Sequence, residues 1–574
     1  WKLTIDLLDW NAEDPPLFKV IVNGKTRKFR LPEISISSID DQPEPGSEYL
    51  IEIPLCRDDL RIGGNQVRLT TLEGSWIKFD QIKLEGPEST MLREDEHIHL
   101  RGVKAADYEI MADGKRYQPL LVDLEHLDSR PLLEVEVDGK QIFKEEVEQG
   151  RYIFEAPMPA LTSETESKYK IRIDNKLIES GSVSRRAFDQ ITPAGYVDTK
   201  TGSGHSRWMI APGPWMPFSM VKLSPDNQNP GWQSGYEPNF ESIGCFSHIH
   251  EWTVAGLGIM PANGPLQIKV GDQKDPDSGY RSRIAKASEY APIGYYRVEL
   301  SDYNILAELT STTRCGFQRY TFPDSADSRI LIDLQIPCEY TYQNKAIEIT
   351  QVSDRRIEGY SHQITENTWS GGIDQEYVIF FVVEFDQPMS ESRVWLDNEV
   401  LETNSLSHEN PADAGFIAAF NTSEKRTVQV RTGISYVSVE NASENLRREI
   451  SEPYGWDFDA VRAYHVAEWD KLLERVQIST HNQMEKKRFY NAMYRSLCSR
   501  NIFSDLNGEW RDADERIRTL EDPSSPALGC DAFWNTVWNL NQFWNLVPPE
   551  WSNRGVKSQL ARDDANGGVA KGGA

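Results

Sequence analysis

A change of hydrophobic period near residue 455 constrains this chain more than any other feature. Up to about residue 440, apolar side chains recur at every second position in short runs broken by turns, the spacing of strands with one buried face. Phe18-Lys19-Val20-Ile21-Val22 is followed by Asn23-Gly24, and Leu132-Leu133-Glu134-Val135-Glu136-Val137 by Asp138-Gly139. Both dipeptides signal tight hairpins. Beyond about residue 455 the period lengthens to about 3.6. Phe458, Val461, Trp469, Leu472, Leu473 and Val476 then share one helical face, and Phe489, Ala492, Met493 and Leu497 share another after Glu485-Lys486-Lys487. A last helix is expected over about Ala532 to Leu546, with Phe533, Val537, Leu540 and Trp544 apolar and Pro548-Pro549 as its stop. The expected fold class is therefore multidomain and mainly β, with helices at the end.

At 574 residues the chain exceeds one core, and about four domains of roughly 150 residues is the expectation. No apolar run approaches the ~20 residues of a membrane span. A net charge of -27 repels phosphate backbones, which argues against nucleic acid and for a neutral or cationic ligand. Six cysteines without Cys-x-x-Cys spacing indicate neither a zinc site nor a disulfide framework. Sixteen Trp and 22 Tyr supply many flat amphipathic rings, which suit sugar faces but also fill large cores. The first residue, Trp1, lies in a strand-like run with no leader before it, so no signal peptide is visible. The chain is read as a fragment at both ends.

Composition divides the chain into five segments. Residues 1–88 and 89–187 are strand-rich and separated by Pro87-Glu88-Ser89; the second has the strand spacing of a small immunoglobulin-like sandwich and reads as a spacer. Gly64 to Glu85 alternates as two strands of one half-buried antiparallel sheet. Residues 188–448 begin with loops dense in Gly, Pro and aromatics, where functional groups tend to sit, and continue as a large β-sandwich. A helical linker over 449–481 precedes a helical segment over 482–574.

The stretch Phe246-Ser247-His248-Ile249-His250-Glu251-Trp252 has the composition of a site. His248 and His250 admit metal binding, hydrogen bonding to a ligand, or service to buried backbone groups. Trp252 reads as a sugar platform or a core ring, and Glu251 as a partner for a sugar hydroxyl or a solvated carboxylate. Trp232 and Gln233, ahead of Ser234-Gly235-Tyr236, either contact a sugar or pack their loop. Asp531, Trp534 and Asn535 stand at a helix start, where pocket lining competes with capping.

Five ordered blocks carry a resemblance: Gly202-Ser203-Gly204-His205, Pro217-Phe218-Ser219-Met220-Val221, Leu223-Ser224-Pro225-Asp226, Ser234-Gly235-Tyr236 and Phe246-Ser247-His248-Ile249-His250. Their order and spacing resemble the amino-terminal signature of glycoside hydrolase family 92. Lys486 to Tyr494 is similar to the first helix of that family's (α/α)6 barrel, and Asp531-Ala532-Phe533-Trp534-Asn535-Thr536 stands where the family has Ser-Leu-Trp-Asp-Thr. The resemblance covers about residues 190 to 574. Separately, the run Gly74-Ser75-Trp76-Ile77-Lys78-Phe79-Asp80 resembles galactose-binding-like jelly-roll modules.

The resemblance implies a calcium-dependent exo-α-mannosidase that inverts the anomeric centre, secreted or periplasmic, with a glycan as substrate. The implied fold is a jelly roll, an Ig-like sandwich and a large β-sandwich, followed by the first helices of an incomplete (α/α)6 barrel. The family's acid, base and calcium ligands lie in motifs similar to Gly-Asn-Glu-Pro and Gly-Asn-Asp-Asp-x-Gly-Gln-Met-Ser, neither of which occurs in these 574 residues. No catalytic or metal-ligating residue is therefore assigned, and no turnover is expected of this stretch alone. Substrate-binding candidates are Trp232, Gln233, His248, His250, Glu251, Trp252, Asp531, Trp534 and Asn535. Glu251-Trp252 replaces the family's usual Leu-Ser and Asn535 its usual Asp, which marks a divergent branch. The other open reading is a non-catalytic carbohydrate-binding protein with a decayed pocket.

Overall fold

The two dipeptide signals fold as tight hairpins. Asn23 and Gly24 adopt φ of 48° and 90° between strands Leu17–Val22 and Lys25–Arg30. Asp138 and Gly139 adopt 49° and 80° between Leu132–Val137 and Lys140–Glu146. Paired positive φ matches the right-handed twist of the flanking strands. This computed structural model describes the whole chain except residues 12, 34–48, 62–64, 75, 91–97, 188–191, 205–209, 228–234, 251–254, 336–342, 366–373, 479–482, 499, 530–535 and 569–574. It divides into two units, Trp1–Ile191 and Thr192–Ala574.

Among the described residues the first unit holds two large cores and a small cluster of Ala106, Tyr108, Ile110 and Leu121. One includes Leu3, Ile5, Phe18, Val20 and Ile53, drawn from a sheet ordered Tyr49–Pro54, Lys2–Trp10, Ile77–Glu85 and another ordered Lys25–Arg30, Leu17–Val22, Val67–Glu73. Val67–Glu73 and Ile77–Glu85 thus lie in different sheets, correcting the single sheet expected from their alternation. Period reports that a strand has two faces, but it is silent on the strand's partner. The second core includes Leu120, Val122, Val135, Ile171 and Met158, from a four-stranded sheet through Leu132–Val137 and Thr165–Ile173 and a second four-stranded sheet centred on Lys115–His126.

The second unit begins as a large antiparallel sandwich. One sheet of seven strands runs in the order Ser224–Asp226, Cys245–His250, Ala255–Ala262, Ser328–Asp333, Ala414–Phe420, Glu391–Leu396, Glu399–Leu401. The other has eight and includes Ile305–Ser311, Cys315–Thr321, Thr427–Ser435, Gln375–Phe385 and Arg356–Thr365. Phe246, Ile259, Ile332 and Phe416 from the first join Leu309, Phe381, Val383 and Val430 from the second in one hydrophobic cluster.

Helices follow: Val439–Leu446, Phe458–Leu473, Gln483–Ser496, Leu540–Leu546 and Pro549–Asn566. Asp457 caps the second by accepting from the Ala460 N–H at 2.9 Å, meeting a backbone donor that a helix start leaves open. The first escaped the periodicity because its buried face is half asparagine, Asn441 and Asn445 beside Ala442 and Leu446. Val476 lies beyond the end of Phe458–Leu473. On Gln483–Ser496 the buried side includes Tyr490, Met493 and Tyr494, with buried Leu497 just past the helix end, while Ala492 faces outward. Val537 is 56% exposed and Trp544 alone is buried within Leu540–Leu546. Pro548-Pro549 does more than stop a helix: Pro549 opens the next, since a first-turn residue needs no N–H partner. None of the described helices is long and apolar enough to cross a membrane.

Phe381 is fully buried in the central strand Gln375–Phe385. Phe381→Ala is expected to destabilise the protein by about 3–5 kcal/mol through lost transfer energy and a cavity. Denaturant unfolding of variant and parent checks this.

Candidate functional site

Residues 211–227 contain two of the signature blocks, Pro217 to Val221 and Leu223 to Asp226, and every residue of the segment is buried. An irregular segment inside a protein must find partners for its backbone, because an unmet N–H or C=O away from water is costly. Here both the sandwich and the helices supply them. Met220 and Val221 both donate from backbone to the Thr313 carbonyl at 3.0 Å, and Lys222 donates from backbone to the His248 carbonyl at 2.7 Å. Ser311 Oγ donates to the Pro214 carbonyl. From the helical side, Trp469 Nε1 donates to the Trp215 carbonyl at 2.7 Å. Phe218 N–H donates to the Leu497 carbonyl at 3.2 Å, and the Phe218 carbonyl accepts from Ile502 N–H at 2.8 Å.

Side chains of the segment return the contacts. Lys222 Nζ donates to the Cys498 carbonyl at 2.6 Å and lies 4.6 Å above the Trp215 ring. Trp215 Nε1 donates to Ser224 Oγ at 2.6 Å. Phe218 stacks on Trp551 at 4.0 Å and meets Trp544 edge-on at 5.1 Å. A second anchor is the Glu289 carboxylate, which accepts from the Tyr236 and Tyr296 hydroxyls at 2.8 Å each and pairs with Lys286 Nζ at 2.8 Å. Burial, then the Glu289 charge, pushes the Tyr236 phenol well above its ordinary pKa.

His248 and His250 close the floor of this region on the strand Cys245–His250. His248 Nδ1 donates to the Leu257 carbonyl at 2.7 Å, and Nε2 accepts from the Thr432 hydroxyl at 2.6 Å. Leu257 belongs to the seven-stranded sheet and Thr432 to the eight-stranded one, so a neutral imidazole joins the two layers. Gly316 leaves the room: a Cβ there would lie 2.7 Å from His248 Nε2. Burial lowers the His248 pKa to about 4. His250 Nε2 lies 3.0 Å from Asp226 Oδ1, both side chains being buried, and Nδ1 donates to the Lys222 carbonyl at 3.0 Å. Ser247 Oγ donates to the other Asp226 oxygen, and Cys245 Sγ approaches it at 3.6 Å. Both nitrogens of each ring are thus engaged within the protein.

The other substrate-binding candidates, Trp232, Gln233, Glu251, Trp252, Asp531, Trp534 and Asn535, lie outside the described residues. Asp226, Lys222, Trp215 and Glu289 are the residues that the sequence did not single out. Asp226 and the neighbours of Lys222 stood in signature blocks, whereas Glu289 carried no local signal. Among the described residues no group of three or more His, Cys, Asp or Glu side chains is placed to hold a metal ion. Asp333 has its carboxyl raised to about 8, by burial first and then by the Asp413 charge. It accepts from the Tyr280 hydroxyl and, at 2.8 Å, from the Gln335 N–H, which marks a structural acid.

Two family models match the chain. One, described as the glycosyl hydrolase family 92 N-terminal domain, covers residues 196–435, and the other, described as the glycosyl hydrolase family 92 catalytic domain, covers residues 441–573. A curated relative from Arthroderma benhamiae, described as an uncharacterized secreted glycosidase, is 24% identical over 344 residues, 56% of this chain and 43% of the relative. A family 92 alpha-mannosidase from Bacteroides thetaiotaomicron, solved in complex with mannoimidazole, is similar at a TM-score of 0.58 and 27% identity over 65% of this chain and 48% of that one. A family 92 inverting mannosidase from Bacteroides thetaiotaomicron VPI-5482 shares the fold at a TM-score of 0.56, with 20% identity over 67% of this chain and 50% of that one. The chain spans about half the length of these relatives.

Two measurements check the packing of this region. Trp469→Phe leaves the buried Trp215 carbonyl without its donor and is expected to lower stability by about 1–3 kcal/mol in denaturant unfolding. For His248 the unfolded ring binds a proton below about 6.5 while the folded ring resists until about 4. Its contribution is therefore constant above pH 6.5 and falls by about 1.4 kcal/mol per pH unit between 6.5 and 4. His248→Asn is expected to flatten that part of the stability–pH profile relative to the parent, and an unchanged slope would contradict the buried neutral ring.

Proposed function

The chain belongs to glycoside hydrolase family 92, and from that premise we propose that the protein is a glycosidase acting on α-mannosides. The observation that carries this reading is the buried segment 211–227, whose signature blocks are clamped between sandwich and helices within the span of the two family models. In this reading such a clamp holds rigid the frame on which a sugar pocket is built, and a rigid frame is what positions a glycosidic bond for attack. In this reading hydrolysis is a single displacement. An acid protonates the leaving oxygen while a base activates water on the opposite face, with the two carboxyl groups about 6.5–9.5 Å apart.

Calcium dependence belongs to the proposal on family grounds alone. Secretion is proposed because the fungal relative is described as secreted.

Full-length protein offered an aryl α-mannoside and α-linked mannobioses is expected to release mannose, with the β-anomer appearing first in proton NMR. Prior chelation is expected to abolish the rate. Silence on every α-mannoside tested would overturn the reading, and binding without turnover would favour a carbohydrate-binding role. Initial release of the α-anomer would remove inversion, and a rate indifferent to chelation would remove calcium.

A further inference from the structure

We propose that Asn501 contacts the bound ligand, its carboxamide hydrogen bonding hydroxyl groups of a sugar; this rests on the glycosidase reading above. Asn501 begins the short strand Asn501–Ile502, paired in register with Gly529, and is 5% exposed. Among the described residues neither its Oδ1 nor its Nδ2 has a hydrogen-bond partner. Buried polar groups are nearly always paired, because water has been stripped from them and nothing else repays that loss. A buried amide unmet at both ends asks for a ligand.

The surrounding backbone supports this placement. Arg500, the residue before, has φ of 62°, and Phe218 has φ of 54°. Both lie in the left-handed region that residues with bulky side chains avoid, and such outliers gather at ligand sites when neighbours hold them in place. The two are linked through this strand, since the Phe218 carbonyl accepts from Ile502 N–H at 2.8 Å. Around them stand flat rings: Phe218 on Trp551, and Trp544 beneath the Arg500 guanidinium at 4.1 Å. Arg500 Nη2 also donates to Asn541 Oδ1 at 2.5 Å.

The ligand chemistry follows from what is unmet. A carboxamide presents an acceptor oxygen and a donor NH2 side by side, the complement of two neighbouring hydroxyls on a pyranose. The nearby guanidinium is already engaged by a ring face and an amide oxygen. The demand is thus for a neutral polyhydroxyl ligand, not an anion.

A structural role and a ligand role for Asn501 differ in the ligand-free protein. If the amide is unmet, Asn501→Leu, which keeps four side-chain heavy atoms forked at Cγ, leaves the Tm of the free protein unchanged or raises it. The same variant is expected to lose the Tm rise produced by mannose and to lower kcat/KM on an aryl α-mannoside by up to about 100-fold, the cost of leaving a buried hydroxyl without its partner. One glycoside of the 2-, 3-, 4- and 6-deoxy series is expected to be poor for the parent and no poorer for the variant. Asn501→Ala serves as the second variant. A fall in the ligand-free Tm of both variants would overturn the proposal, as would a mannose-induced shift and a kcat/KM that match the parent. A parent that binds and cleaves no α-mannoside removes the glycosidase reading and this inference together, whereas an active parent matched by its variants removes this inference only.

Discussion

Everything in the second unit depends on satisfying the backbone of a buried, irregular segment. Residues 211–227 form only one short strand, Ser224–Asp226, yet all are buried. Their polar groups cannot turn to water, so they dictate what must surround them. Thr313 and His248 answer from the sandwich, and Trp469, Leu497 and Ile502 from the helical side. The junction between sandwich and helices is therefore specified by hydrogen bonds that have one acceptable geometry. Apolar contact alone would tolerate sliding.

Charge is managed the same way. The chain carries -27 overall, yet around this segment the buried cations are held largely by carbonyls and ring faces. Lys222 rests on Trp215 and the Cys498 carbonyl. Arg281 Nη1 donates to the Asn227 carbonyl at 2.9 Å and to Ser242 Oγ at 3.1 Å. Arg314 adds a true ion pair, 2.9 Å from Glu449, while its Nε donates to the Ser504 carbonyl. Each cation bridges segments distant in sequence, and removing one would strand a carbonyl as well as a charge.

Much of the fold was legible because period and turn chemistry are local. Asn23-Gly24 and Asp138-Gly139 announced their hairpins, and Phe458, Val461, Trp469 and Leu472 announced their helix. Pairing was not local, so Val67–Glu73 and Ile77–Glu85 were joined when they belong to opposite layers. The helix Pro549–Asn566 hid behind a proline pair that reads as a stop and serves as a start. In the site, the histidines were conspicuous by type, but nothing near them marked Asp226 or Thr432 as partners, since those contacts cross from strand to strand. The loops rich in Gly, Pro and Trp had the composition of a surface, and only the structure shows that Pro212 to Asn227 is interior.

That interior position bears on how such a family diverges. Phe218 sits in a costly backbone conformation, held by Leu497 and Ile502 through main-chain bonds and by Trp551 and Trp544 through ring contacts. Main-chain bonds do not depend on which side chains their residues carry. The frame can consequently keep its shape while residues on its rim change, provided that no rim residue is asked to hold the frame. His248, His250 and Asp226 belong to the frame, since their polar atoms are engaged within the sheets. If the protein acts on sugars as proposed, selectivity among them falls to side chains whose polar atoms the frame does not use, and a change at one of those alters what is bound without altering what is folded.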